Sequence, residues 1–395
     1  MSGERRIGRG ERVARVVARQ LAGGGTCAEV VARLVGVHAT DPATVYLAVG
    51  ARLAEPGTVV GAMEGALYGD EPELVRMLAM RRTMFVLTRQ SAPTVYAAAG
   101  RQIAARERKG LLAYLKDGGG WDEKWLAAVE DEVRAALAEH GECSGAQLSR
   151  LVPRLREQIV VARGKPYETT QNVASRVIRT MAAEGRIARR RPLGSWTSGQ
   201  FRWAPAEPLP PRPVDEARAE VVRAWLAAYG PGTEADVKWW TGWTLTEVRK
   251  ALAAVGAERV VLDEGPGYVL PGDTGTTEAG EAAGTPQAPP AARLLPALDP
   301  TPMGWQDRDW FLPRAHRAAL FDRTGNVGPT VWWGGEVIGG WAQRADGTVV
   351  WRQLTDRGTQ AADAVSAAAA ELAARLGDVR ITPRFRTPLE RELSA

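Results

Sequence analysis

Apolar positions along the first ninety residues recur first at helical and then at strand spacing. Val13, Val16, Val17 and Leu21 form one helical stripe, which Gly23-Gly24-Gly25 ends. Thr26-Cys27-Ala28-Glu29 has the form of a capping box and opens a short helix, Val30 to Leu34. Pro42 to Leu53, carrying Val45, Tyr46 and Val49, is predicted as a third helix and Thr58 to Tyr68 as a fourth. Two apolar runs follow, LVRMLAM (74–80) and TMFVLT (83–88), split by Arg81-Arg82, and they read as a β-hairpin.

The same scheme returns twice. Residues 91–116 are helical in pattern and lead to a glycine break at 118–120. Asp122 then starts a helix through Glu139, with Trp125, Val129, Val133 and Leu137 on one side, and Ser144-Gly145-Ala146-Gln147 opens another to Leu151. A longer helix is predicted from Thr169 or Thr170 to a C-cap at Gly185. Arg186–Arg191 and Gln200–Trp203 read as strands around the tip LGSWTSG. After a proline-rich linker, 205–213, come helices at Asp215–Tyr229, from Thr233 through Trp240, and from Thr244 or Thr246 to Gly256. Val260–Leu262 and Tyr268–Leu270 are the third pair of strands, around Gly265-Pro266-Gly267.

TCAEV at 26, SGAQL at 144 and TEADV at 233 share the form [S/T]-x-x-[E/Q/D]-[V/L] in matching context. This internal repeat argues for three tandem winged-helix units, 1–120, 121–208 and 209–270. Residues 271–291 are too poor in large apolar side chains to fold and read as a disordered insertion. From 292 to 395 the chain is rich in short apolar runs, turns and tryptophan. A small antiparallel β-barrel or sheet is expected there, with a Gly334-Gly335 hairpin turn and an alanine-rich helix at 359–376. Trp332, Trp333, Trp341 and Trp351 fall on its strands as core residues. The fold class is α+β.

Composition narrows the chemistry. At 395 residues, 45% hydrophobic and 25% charged, the chain has the make-up of a soluble multidomain protein. It has neither an apolar run long enough to span a bilayer nor a secretory h-region, and its two cysteines suit a reducing, cytoplasmic setting. Cys27 and Cys143 each start a predicted helix, where a lowered pKa is conceivable, but small packing residues are the plainer reading. Three scattered histidines and two cysteines cannot build a zinc site, and P-loop, G-x-S-x-G and dinucleotide fingerprints are absent, so no metal or cofactor is expected. His140 and His316 read as structural or surface residues.

The net charge is only +5, but the positive charge is nearly all arginine, clustered at 5–15, 101–108 and 186–191. A solvated face accounts for any one cluster. Three, each near the edge of a predicted unit, point to a polyanion. The predicted helix from 169 places Thr170, Gln171, Asn172, Ser175 and Arg176 in its N-terminal half, suited to phosphate and base edges. Arg186, Arg189, Arg190 and Arg191 extend that face, Trp196 at the hairpin tip could stack or wedge, and Arg81 and Arg82 add charge at the first wing.

One further stretch carries candidate chemistry. In LVGVHATDPAT (34–44), His38 and Thr40 share a face if the segment is extended. Pro42 favours that geometry at Asp41, which reads as an N-cap. Two readings stand: a functional imidazole–hydroxyl pair, or a buried histidine bonded to a backbone group.

With these residues in view the chain resembles the AlkZ-like and YcaQ-like winged-helix DNA glycosylases. The resemblance rests on LVGVHATDPATVYLAVGARL (34–53), MLAMRRTMFVL (77–87) and NVGPTVWWGGEVIGGWAQR (326–344), and covers all but the 271–291 insertion. It implies three winged-helix units with a C-terminal β-barrel, and a polar-x-polar catalytic motif, most often Gln-x-Gln or Gln-x-Asp, whose two positions here are His38 and Thr40. Phe85 stands where many members have histidine. The implied reaction is hydrolysis of the N-glycosidic bond of an N7-alkylated guanine in double-stranded DNA, as repair or self-resistance; the internal repeats already supply multivalency, so a monomer is expected. The alternative of a different class is a winged-helix regulator without catalysis; a protein-interaction scaffold is disfavoured by the arginine clusters.

Overall fold

The computed structural model describes residues 4–162, 164–273 and 290–395, so most of the predicted insertion at 271–291 lies outside the described residues. The chain is mixed helix and strand, and it forms two compact units: Met1–Met63 with Arg218–Ala395, and Glu64–Ala217. It passes from the first to the second within the helix Val59–Tyr68 and returns within Val214–Tyr229.

All three predicted capping boxes are formed. The Thr26 amide donates to Glu29 (2.7 Å) and the Glu29 amide to Thr26 Oγ1 (3.2 Å). Ser144 with Gln147 and Thr233 with Asp236 make the same reciprocal bonds, starting the helices Gly145–Leu151 and Glu234–Thr241. Each box satisfies two amides that have no partner inside the helix. A fourth, Thr244 with Glu247, starts Leu245–Ala254.

In the first unit the C-terminal sheet is a four-stranded antiparallel meander in chain order: Ala292–Leu295, Thr330–Trp333, Glu336–Gln343 and Val349–Gln353. The helix Thr359–Leu376 packs on its two outer strands, and Pro388–Leu393, in the predicted polar tail, packs on Glu336–Gln343. Trp332 and Trp341 are buried, their indole N–H groups donating to Thr330 Oγ1 and the Leu295 carbonyl; Trp333 and Trp351 are half-buried. A chain of ring contacts runs from Trp225 through Tyr229, Trp305 and Phe311 to Trp332. The predicted Gly265-Pro266-Gly267 tip is instead strand: Glu258–Leu262 pairs with Gly265–Val269, with Gly265 opposite Leu262 and the turn at Asp263-Glu264. Gly267 belongs there because a Cβ would meet the Leu262 side chain at 2.5 Å.

The second unit has its own core. Leu111, Leu115, Leu126, Val129, Val133, Leu137, Leu148, Val177 and Met181 are its buried centre. The first predicted hairpin forms as Leu74–Ala79 against Thr83–Thr88, and the later pair as Ile187–Pro192 against Phe201–Pro205. One element corrects the sequence reading. Thr169–Asn172 is not the first turn of a helix but a strand, antiparallel to Gln158–Val161, and the helix begins at Ala174. The β-branched run Ile159-Val160-Val161 recruits Thr169-Thr170 across the turn, and the ladder runs on until the Val173 amide donates to the Glu157 carbonyl (3.0 Å).

Candidate active site and nucleic-acid-facing residues

The helix Cys27–Arg33 ends in a Schellman motif: the Gly36 amide donates to the Val31 carbonyl (2.9 Å) and the Val35 amide to Ala32 (3.0 Å). The left-handed position, usually glycine, is Val35, at φ +56°. A β-branched residue there costs about 1–2 kcal/mol. The buried Tyr229 hydroxyl donates to the Leu34 carbonyl (2.8 Å) and helps hold the turn in place. Burial raises the Tyr229 pKa, so the phenol stays a donor throughout the neutral range.

The chain leaves this turn extended at Val37–His38 and enters the helix Pro42–Gly50. His38 is 3% exposed, and Thr40, two residues on, is half-buried. Asp41 closes the loop as predicted: its Oδ1 accepts from the Ala43 amide (3.0 Å). Its Oδ2 also accepts from the Arg384 amide (2.9 Å), a tie across 343 residues that no sequence pattern announces. Thr44 Oγ1 donates to the Ala297 carbonyl (2.7 Å). Asp41 and Thr44 are therefore committed to structure. A shallow hollow lies beside the loop, lined in part by Asp41, Thr44, Ala297 and Trp341.

Beyond the helix, Arg52 and Asp299 form a fully buried bidentate ion pair, both bonds 2.8 Å. Arg52 also donates to the Gln20 and Ala48 carbonyls, and Asp299 accepts from the Thr301 amide. Every strong donor and acceptor around the pair is thus used, the condition under which a buried pair holds its geometry.

Of the residues singled out for nucleic acid, Thr170, Gln171 and Asn172 are exposed on the strand Thr169–Asn172, not at a helix N-terminus. Arg176 does lie early in its helix, its guanidinium 3.8 Å from the centroid of the Tyr114 ring. Arg186 bonds Glu130 (2.6 Å), Arg190 bonds Glu142 (2.8 Å), and Arg191 bonds Glu64 (2.6 Å). Arg189 lies near the faces of Phe201 and Trp203, and Trp196 is half-buried in the loop between its two strands. Arg81 and Arg82 occupy left-handed conformations (φ +54° and +60°) in the tight turn Met80–Arg82. Burial lowers the Arg81 pKa to about 10, which leaves it cationic at neutral pH, and Arg82 bonds Glu107 (3.0 Å). Tyr167, 72% exposed between Gln158–Val161 and Thr169–Asn172, is a large exposed aromatic that the sequence reading passes over. Its signal was present: an aromatic after Gly164-Lys165-Pro166, flanked by β-branched runs.

The remaining reactive groups are structural. Cys27 and Cys143 are buried thiols outside any disulfide, and burial raises the Cys143 pKa rather than lowering it. The His316 ring bonds Thr355 (2.6 Å), and His140 is exposed at a helix end. Among the described residues no cluster of His, Cys, Asp and Glu could hold a metal ion, and no helix is long and apolar enough to cross a membrane.

A motif-bearing loop fixed at both ends, in a chain of two compact units with an antiparallel sheet, is the frame in which the comparisons fall. The family model for AlkZ-like DNA glycosylases matches residues 31–378, and the chain belongs to that family. Among solved structures it is similar to the Streptomyces sahachiroi DNA glycosylase AlkZ, with a TM-score of 0.68 and 22% identity over 96% of this chain and 99% of that one. No curated protein matches it by sequence.

Proposed function

We propose that this protein is a monofunctional DNA glycosylase that removes N7-alkylated guanine from duplex DNA, with His38 and Thr40 as its catalytic pair. The observation that carries the proposal is the position of that pair. It lies inside the matched family region, on an extended segment anchored by the Schellman turn before it and the doubly bonded Asp41 after it. Anchoring of this kind supplies the positional precision that hydrolysis needs.

The chemistry asks little else of the protein. Alkylation at N7 makes the guanine a cation. Breaking the C1′–N9 bond sends the electron pair onto the base, which leaves as a neutral N7-alkylguanine. The sugar passes through an oxocarbenium-like state, water adds at C1′, and its proton goes to a neutral His38 imidazole and then to solvent. Thr40 orients the water. No lysine adjoins the loop to form a Schiff base. A bulky adduct leaves little room for full flipping into a tight pocket, so such substrates would be met at an accessible surface.

The DNA is held by winged-helix elements and their arginines. Arg176, Arg186, Arg189, Arg190, Arg191, Trp196, Arg81 and Arg82, with the exposed strand residues Thr170, Gln171 and Asn172, face the duplex in this reading. The protein acts as a monomer in repair or self-resistance. Incubation with duplex carrying N7-methylguanine, and separately a bulky N7-guanine adduct, tests the reaction. Free alkylated base and alkali-labile sites are expected. Tight binding to undamaged sequences with no release from either substrate would favour a regulator instead.

A further inference from the structure

A second basic site lies wholly within the unit Glu64–Ala217. A cleft of about 260 Å³ is lined by Arg76, Arg82, Arg179 and Arg189, with Glu107 the one acidic residue among its walls. The hairpin Leu74–Thr88, the helices Arg101–Gly119 and Ala174–Ala183, and the strand Ile187–Pro192 each contribute a side.

Arg76 is the unusual member. It is 5% exposed, its Nε donates to the Tyr68 hydroxyl (3.0 Å), and its guanidinium lies 5.2 Å from the centroid of the Phe201 ring. Its two terminal nitrogens, Nη1 and Nη2, have no hydrogen-bond partner. A buried guanidinium is costly to leave without an anion, and the fork it presents matches a phosphate or carboxylate through two parallel bonds. Glu107, the cleft's carboxylate, is already taken by Arg82. A phenol and an aromatic face do not neutralise a cation.

We infer that this cleft is a phosphate subsite, in which the unpartnered fork of Arg76, with Arg179 at the rim, takes one phosphodiester of the DNA backbone. The inference rests on the DNA-binding part of the function proposed above and adds a positioning contact to it. A phosphate held there fixes the register of the duplex on the protein without reading sequence.

The test is binding of the full chain to undamaged duplex, followed by fluorescence anisotropy across a series of salt concentrations. Arg76→Gln is expected to weaken binding several-fold for all sequences alike and to lower the salt slope by about one. Arg76→Lys, which keeps the charge, should keep most of the slope. Arg179→Gln, at an exposed position, guards against a folding defect and should lower the slope in the same direction. Unchanged affinity and slope in folded Arg76→Gln and in Arg179→Gln would overturn the inference. So would a thermal shift with inorganic phosphate that Arg76→Gln abolishes while DNA binding stays the same, since that marks a site for free phosphate. Base release from N7-methylguanine duplex, measured in parallel, separates the two proposals. Release with an unchanged slope removes the subsite alone, and a lowered slope without release removes the glycosylase assignment alone.

Discussion

Tyr229 shows how much of the candidate loop depends on single side chains distant in sequence. Its hydroxyl is buried and donates to the Leu34 carbonyl, next to the strained Val35. Tyr229→Phe keeps the stack on Trp225 and the edge-to-face contact with Trp305 but leaves that carbonyl without this donor. The expected loss is about 1–2 kcal/mol, read as a lower urea midpoint at unchanged m-value. Arg52→Met is more severe. It strands Asp299 as a fully buried charge, so about 3–5 kcal/mol should be lost, and recovery in the double variant Arg52→Met with Asp299→Leu would show the cost to be the unpaired charge. Neither contact was legible beforehand, because 195 and 247 residues separate the partners and nothing local encodes the meeting. The Asp41 N-cap was legible, being set by Pro42 next to it; its second bond, to Arg384, was not.

Elements divide in the same way. Capping boxes are local, four-residue devices, and all three that define the repeat are formed at Thr26, Ser144 and Thr233. The helix Thr359–Leu376 is also local in origin and has its predicted bounds. The segment Thr169–Asn172 was read as helix because Gly185 gave a clear C-terminal stop and Thr169 a plausible start. Strand pairing with Gln158–Val161 outweighed that local preference. The result is a hairpin with Tyr167 exposed near its tip, and we propose that this aromatic stacks or wedges against DNA beside Thr170, Gln171 and Asn172. Tyr167→Ala should therefore lower duplex affinity several-fold in anisotropy while leaving the melting temperature within error. An unchanged affinity would remove the hairpin from the interface.

For the whole molecule, the net charge of +5 is a small balance, since many arginines are bonded to carboxylates within their own unit. Arg76 has no such partner at its two terminal nitrogens. The chain belongs to the AlkZ-like DNA glycosylases, and the proposal specific to it is that His38 and Thr40 are its catalytic pair. Single-turnover release of N7-methylguanine by wild type, His38→Ala and His38→Gln, each with duplex affinity measured alongside, tests that claim most directly. The account predicts a fall of about 100-fold or more in His38→Ala with binding intact, and substantial activity in His38→Gln. Release by His38→Ala at the wild-type rate would contradict it.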